Sequence, residues 1–516
     1  MNASHSTTPK SEKPANTQLE NQWNKFDWKK AERFVNRLQS RIAKAVIQCK
    51  WSLVKRLQYL LTHSYYAKML ATKNVTQNKG KRTAGIDGET WSSPQAKMKA
   101  ALSLTDKKYN AKPLRRVYIE KYGSNKKRPL GIPTMYDRAI QSLYAIALDP
   151  IAEATGDKTS FGFRKFRSTH DACKQAFLCL SHTYAPVWIL EGDIKGCFDN
   201  ISHQWLLDNV QMDESILKQF LKAGYVFERH LFPTDAGTPQ GGIVSPILAN
   251  FALDGIEKIL GDKYPKNKKD RNHTAKYKVN FVRYADDFIV TAKTEEIAKE
   301  VKELIKEFLK GRGLELSDEK TIITHIDLGF DFLGWNFRKY KGKLLIKPSK
   351  KSIDKVTENI SNIIKKGKAW TQEAIIDALN PIITGWSNYH QPVVSSETFA
   401  KLDSRIWDML WHWAMRRHTK KSKQWTADKY WHEVGNRNWV FSTKNKQLKL
   451  LSDTKIVRHI PLKLDKNPYL DTEYFVLRKW KQRIKKLTSK TNEVLNNVNK
   501  ICKPNIVTMT NNCCPI

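Results

Sequence analysis

Phe281-Val282-Arg283-Tyr284-Ala285-Asp286-Asp287-Phe288-Ile289-Val290 sets two adjacent carboxylates between two apolar, β-prone stretches. The pattern predicts a β-hairpin with its acids at the turn. Crowding two carboxylates is costly unless cations neutralise them. A pair of Mg²⁺ ions does this through oxygen ligands. An Asp-Asp pair alone also fits an exposed acidic turn, so the reading rests on what accompanies it.

A further acid lies upstream. Val187-Trp188-Ile189-Leu190 reads as a strand that runs into Glu191-Gly192-Asp193-Ile194-Lys195-Gly196-Cys197-Phe198. An acid at that strand end, facing the hairpin, completes a three-carboxylate site. Asp193, Asp286 and Asp287, with the Ile194 carbonyl, then make a ligand set for two Mg²⁺. Phe198 follows on the turn past Asp193. A ring there would lie under the sugar of an incoming nucleotide and clash with a 2′-hydroxyl. A core Phe is the plainer alternative. Gly237-Thr238-Pro239-Gln240-Gly241-Gly242 is a turn whose glycines let backbone approach a template closely, with Gln240 able to bond sugar or base edges. It opens into a helix expected over about 247–260. Lys121 and Arg128 bracket a second turn and suit a hairpin folded over a triphosphate. Lys320 is a further candidate phosphate contact, although a lone Lys is more often a solvated surface residue.

Composition points to a polyanionic partner. Lys and Arg total 90 against 51 Asp and Glu, a net +39 with a pI near 9.8. A charge of this size repels itself unless nucleic acid is bound. Residues 331–516 hold 36 basic and 15 acidic side chains and 10 of the 16 Trp, so the last third carries over half of the net charge. Aromatic faces among cations suit unpaired bases; helix cores are the preferred place for most of these Trp. The seven Cys form no C-x-x-C pair, which indicates neither a disulfide framework nor a zinc site. No apolar signal core or stretch of about 20 apolar residues occurs, so a reducing, cytoplasmic setting without a membrane is expected.

Along the chain, residues 1–24 read as a disordered polar tail. Phe34, Leu38, Ile42, Val46, Leu53, Leu57, Leu60 and Leu61 have helical spacing, with Lys and Arg on much of the opposite face. Residues 78–88 hold three glycines and three cations in a turn-rich run. Short β-prone runs then alternate with helices to about 330, which predicts an α+β domain with its chemistry at strand ends. Residues 350–440 read as mostly helical, and the tail from about 475 loses its pattern.

These pieces, in order, resemble a known family. Gly80-x-x-Thr83-Ala84-Gly85-Ile86-Asp87-Gly88, Arg128-Pro129-Leu130-Gly131-Ile132-Pro133, Ser160-Phe161-Gly162-Phe163-Arg164, Asp193 with Phe198, Thr238-Pro239-Gln240-Gly241-Gly242, Tyr284-Ala285-Asp286-Asp287, Ser317-x-x-Lys320-Thr321 and Phe332-Leu333-Gly334-Trp335 are similar to the reverse transcriptase blocks of group II intron-encoded proteins. Asn380-Pro381 to His390 resembles the end of a thumb. Trp407, Leu410-Trp411 and Arg416-Arg417-His418-Thr419-Lys420-Lys421-Ser422-Lys423-Gln424-Trp425 resemble the maturase domain, with Thr419-Lys420 where the family often has Pro-Asn.

The resemblance implies an α+β right-hand polymerase followed by a helical maturase domain. Its parts would be an N-terminal extension and fingers over 25–180, palm 181–335, thumb 336–395, maturase core 396–440 and a basic DNA-binding region with a degenerate tail over 441–516. It implies an RNA-directed DNA polymerase, a nucleotidyltransferase, that binds its intron RNA to promote splicing and supports retrotransposition into a DNA target. RNA template, DNA primer and deoxynucleotides would be its substrates, and a nucleoid-associated ribonucleoprotein its setting. Asp193, Asp286 and Asp287 would be catalytic and, with Ile194, hold metal. Phe198 would be the sugar gate, and Gln240, Lys121, Arg128 and Lys320 nucleotide-side contacts. Arg416, Arg417, His418, Lys420, Lys421 and Lys423 would face RNA. Asn467-Pro468-Tyr469-Leu470 resembles the lead into an HNH endonuclease whose Cys and His motifs are not found after it, so that nuclease is expected to be lost or truncated. A host-adopted enzyme of repair or defence, and a splicing factor with a vestigial polymerase, are the alternatives.

Overall fold

The computed structural model describes residues 12–120, 127–238, 241–265, 276–435 and 437–488. Lys121, Gln240 and the three cysteines beyond residue 500 lie outside them. The chain divides into two compact units: Met1–Ala172, Ile189–Ile323 and Lys463–Glu473 form the first; Cys173–Trp188, Thr324–Leu462 and Tyr474–Ile516 form the second. The linear parts expected above are finer than these units, and the units are discontinuous in sequence.

In the first unit the predicted helical spacing becomes three helices, Trp28–Ile47, Trp51–Thr62 and Tyr65–Gln77. Val35, Leu38, Ile42, Val46, Val54, Leu57 and Leu61 enter the core, while Arg33, Arg37, Arg41 and Lys44 stay exposed. They pack with the long helix Met135–Thr155 in one apolar cluster. Residues 12–24, expected within a disordered tail, form a helix instead. The polar composition concealed an apolar pair, Leu19 and Trp23, one helical turn apart, which packs against Met69, Met98 and Ala101.

Strands β1 (Leu114–Glu120) and β2 (Lys127–Ile132) form an antiparallel hairpin that places Arg128 opposite Ile119. Downstream come β3 (Trp188–Gly192), β4 (Tyr225–Phe227) and β5 (His230–Phe232). One sheet runs β2-β1-β4-β5. The other is built on β6 (Asn280–Tyr284), β7 (Asp287–Ala292) and β8 (Ile322–His325), in the order β6-β7-β3-β8. Phe288, Ile289 and Val290 are all buried, so β7 reads as a continuous apolar run rather than an alternation.

The helix expected over 247–260 is two, Ser245–Leu253 and Ile256–Lys263. The break falls at Asp254-Gly255, where Gly255 takes φ +106° and the Asp254 carboxylate turns to a buried guanidinium. The Lys463–Glu473 segment belongs to this unit. Its Tyr469 carbonyl accepts from the Ser40 hydroxyl (2.7 Å), its hydroxyl donates to the half-buried Asp149, and its ring lies 4.6 Å from the Lys165 ammonium.

The second unit carries a three-stranded antiparallel sheet of β9 (Phe330–Phe332), β10 (Trp335–Tyr340) and β11 (Lys343–Pro348), with β10 in the middle. The helices Lys350–Lys366, Gln372–His390, Ser396–Arg417 and Lys423–Tyr430 follow. The helical expectation for 350–440 fails at its end, where β12 (Trp431–Val434) pairs with β13 (Arg437–Phe441). Trp335 is buried; Trp413 and Trp431 are buried in a helical core against which Trp386, Trp407 and Trp411 pack. Helix order continues through Thr472–Thr488, past the point where the sequence pattern faded. Among the described residues no helix is long and apolar enough to cross a membrane.

Candidate active site

Tyr284 pairs with Asp287 across β6 and β7, which leaves Ala285 and Asp286 as a two-residue turn. Ala285 adopts φ +58°, a conformation that favours glycine. Arg283 holds it there. This guanidinium has no exposed surface; it donates to the Ala285 carbonyl (3.2 Å), to Asn250 Oδ1 (3.2 Å) and to the Asp254 carboxylate (2.5 Å). A buried Arg survives only when paired and hydrogen-bonded, and here its partners clamp the turn from behind. From the side, the 159–162 loop bonds to the same residue: Arg283 N donates to the Thr159 carbonyl (3.0 Å), and Phe161 N to the Arg283 carbonyl (2.9 Å). Gly162 sits so close that a Cβ there would stand 2.2 Å from the Ala285 nitrogen.

Asp193 arrives at the end of β3. The strand passes over the Phe288 ring at Gly192, where a Cβ would lie 2.1 Å from the ring's Cζ. The Asp193 carbonyl accepts from Ser317 N (2.8 Å), and Lys195 N donates to the Glu315 carbonyl (2.9 Å). These bonds flank Ile194, which faces Leu316, and leave the Ile194 carbonyl outside that pairing. The Asp193 carboxylate accepts from the Lys320 ammonium.

The electrostatics tie these groups together. Burial pushes the Asp286 carboxyl above the usual range, with the Asp193 charge adding to the effect and Arg128 and Lys320 offsetting part of it. The bond to Asp193 holds the Lys320 ammonium above the usual lysine value, with Asp287 and Asp286 contributing. The Cys197 thiol is pushed up to about 12, chiefly by burial and then by Asp286. The fold thus brings Asp193, Asp286, Asp287, Arg128 and Lys320 into one site.

Among the described residues no three His, Cys, Asp or Glu side chains already stand as a metal-binding group. Asp193 is engaged by Lys320 instead. The donors are nonetheless all oxygens, the set a hard divalent cation takes, and a cation would relieve the penalty on an ionised Asp286 beside Asp193. An ion held there would have to take the place of the Lys320 ammonium on Asp193.

Phe198 is half-buried at the edge of this site. Its carbonyl accepts from Thr238 N, and Gly237 approaches so closely that a Cβ would stand 2.5 Å from the Phe198 carbonyl oxygen. The Gly-rich turn is therefore fastened to the backbone that carries Phe198. Sequence reasoning assigned no role to Arg283, Asn250 or Asp254. A polar i, i+4 pair on an otherwise apolar helix was the available signal.

In the second unit, Arg416, Lys420, Lys421 and Lys423 are exposed. Arg417 donates to the carbonyls of Lys368 (2.6 Å) and Trp370 (3.0 Å) and covers the Trp413 ring. His418 bonds the Tyr430 hydroxyl (2.8 Å) and meets Trp425 edge-on. These two side chains brace the segment that presents the lysines.

Comparisons with known proteins place the chain in a family. The family model described as reverse transcriptase (RNA-dependent DNA polymerase) matches residues 119–337. Those for the N-terminal domain of reverse transcriptase and for the group II intron maturase-specific domain match 23–104 and 353–431. The group II intron-encoded protein LtrA of Lactococcus lactis is 35% identical over 341 residues, 54% of this chain and 56% of that protein. Protein YkfC of Escherichia coli is 32% identical over 54% of this chain and 82% of its own length. Maturase-like protein 1 of Euglena gracilis is 26% identical over 71% of this chain and 77% of its own. The chain spans a little over half the length of LtrA. Fold and sequence together define a reverse transcriptase domain joined to a maturase domain, in a family that uses divalent metal ions. The chain belongs to the group II intron reverse transcriptase/maturase family.

Proposed function

We propose that this chain is an RNA-directed DNA polymerase that also binds its intron RNA to promote splicing and supports retrohoming by target-primed reverse transcription. The observation that carries the reading is the convergence of Asp193, Asp286 and Asp287, at the ends of the neighbouring strands β3 and β7, with Arg128 and Lys320. Asp193, Asp286, Asp287 and the Ile194 carbonyl would hold two Mg²⁺. Bound there, the pair supplies an activated primer 3′-hydroxyl and charge neutralisation for the departing pyrophosphate. Arg128, Lys320 and Lys121 grip the triphosphate of a deoxynucleotide, and Arg128 and Lys320 are already within electrostatic reach of the acids. Phe198 excludes a 2′-hydroxyl, and Gln240 contacts nucleotide or template. Arg416, Lys420, Lys421 and Lys423 meet the intron RNA, with Arg417 and His418 bracing them. The basic 441–516 region meets the DNA target, and the assembly works as a cytoplasmic, nucleoid-associated ribonucleoprotein.

The test is primer extension on an RNA template with deoxynucleotides and Mg²⁺, run beside splicing of the cognate intron. Wild type should extend and splice; Asp286→Ala should splice without extending. A wild type that splices but never extends would make the polymerase vestigial.

A further inference from the structure

The 159–168 loop contains three phenylalanines, Phe161, Phe163 and Phe166, and the first two have opposite fates. Phe161 is buried at 1% exposure, whereas Phe163 keeps 49% of its surface open. Phe163 also takes φ +57°. For a bulky side chain that conformation is unfavourable and persists only where neighbours impose it. Here they do so on both sides. Gly162 is pressed against Ala285 of the acidic turn, and its carbonyl accepts from Asn250 Nδ2 (3.0 Å). Arg164 is buried against Glu153 (2.8 Å). The imposed backbone displays the Phe163 ring beside Phe198, with centroids 6.2 Å apart and planes at 77°.

We infer that Phe163 is a specificity-determining residue: its ring is the backstop that keeps the Phe198 ring against the sugar of the incoming nucleotide. An edge-to-face contact fixes the tilt of a partner ring as well as its position. A gate that rejects one added hydroxyl works only if it cannot swing away. Phe198 itself is only half-buried, so its own packing leaves one side to be closed. Phe163 closes that side from a loop bolted to the Asp286 turn, so gate and acids keep a common frame. This inference rests on Phe198 acting as the sugar gate.

Incorporation of a deoxynucleotide and of its ribonucleotide counterpart should be compared for wild type, Phe198→Ala, Phe163→Ala and Phe163→Leu on an RNA template with a DNA primer. Thermal melts of all four proteins identify any that fail to fold. A steric wall against one hydroxyl is worth up to about 10²-fold, so Phe198→Ala should lower the deoxy-to-ribo ratio of kcat/KM at least about tenfold. Phe163→Ala should lower that ratio by about three- to tenfold while deoxynucleotide kcat/KM changes less than about threefold, with Phe163→Leu in between. If Phe198→Ala relaxes the ratio and both folded Phe163 variants keep it, the backstop is wrong and the gate stands. Equal losses for both nucleotides in the Phe163 variants would also overturn it, because the ring would then serve general positioning. If Phe198→Ala leaves the ratio unchanged, the gate reading fails and the inference falls with it.

Discussion

Asp286 must ionise against its own burial. Its folded-state pKa lies above the unfolded value, so the native state binds more protons than the unfolded chain. Stability therefore falls as pH rises from the ordinary carboxylate range through that raised value. The carboxylate is kept for what it can bind, and the fold bears the cost. Asp286→Asn removes that cost. In metal-free protein at neutral pH it should raise the melting temperature. The gain should shrink at low pH. Mg²⁺ should stabilise the wild type and leave the variant unmoved. Melting curves across pH, with and without Mg²⁺, measure all three. A metal-free Asp286→Asn that melts lower than wild type at neutral pH would contradict the account.

The 280–292 hairpin is legible as an element because its apolar flanks and acidic centre differ so sharply. What holds its turn came from elsewhere in the chain. Arg283 sits inside the quoted stretch, yet its partners Asn250 and Asp254 lie about 30 residues upstream, at the break between two helices that the apolar pattern ran together. Two glycines on other elements set the spacing, and their neighbours differ in kind. At Gly162 a methyl would strike backbone of the acidic turn; at Gly192 it would strike the buried Phe288 ring. Gly162→Ala should therefore displace Asp286 and slow single-turnover extension by about 100-fold, since misplacement near 1 Å costs that much. Gly192→Ala should show chiefly in urea melts, as overpacking of about 1–3 kcal/mol. Equal and small effects of both on extension would mean that the turn tolerates the shift.

Over the whole molecule the charge is the dominant physical fact. A net +39 makes binding to RNA a matter of counterion release, and its salt dependence counts the contacts. The exposed Lys420, Lys421 and Lys423 carry part of it, while Arg417 and His418 are occupied within the fold. Changing the three lysines together to Ala should weaken binding of the intron RNA and flatten the plot of log affinity against log salt by about 2–3. Extension of a generic primed template should be largely unchanged. Filter binding over a salt series beside primer extension reads both, and parallel loss of both activities would assign the cluster to folding.

Local chemistry is written in consecutive residues, and that much the sequence determined by itself: the acid-bearing hairpin, the strand running into Asp193, the helical spacing from Phe34 to Leu61, and the excess of cations. Burial and pairing depend on residues distant along the chain, so only the tertiary structure decided the rest. It turned the polar 12–24 stretch into a helix by packing Leu19 and Trp23 on Met69 and Met98. It returned the Lys463–Glu473 segment to the first unit through Tyr469 and Asp149. It also buried Arg283 to clamp the acidic turn and held Phe163 in a strained backbone beside Phe198. A buried charge needs partners and a strained residue needs neighbours that impose the strain; periodicity along the chain records neither.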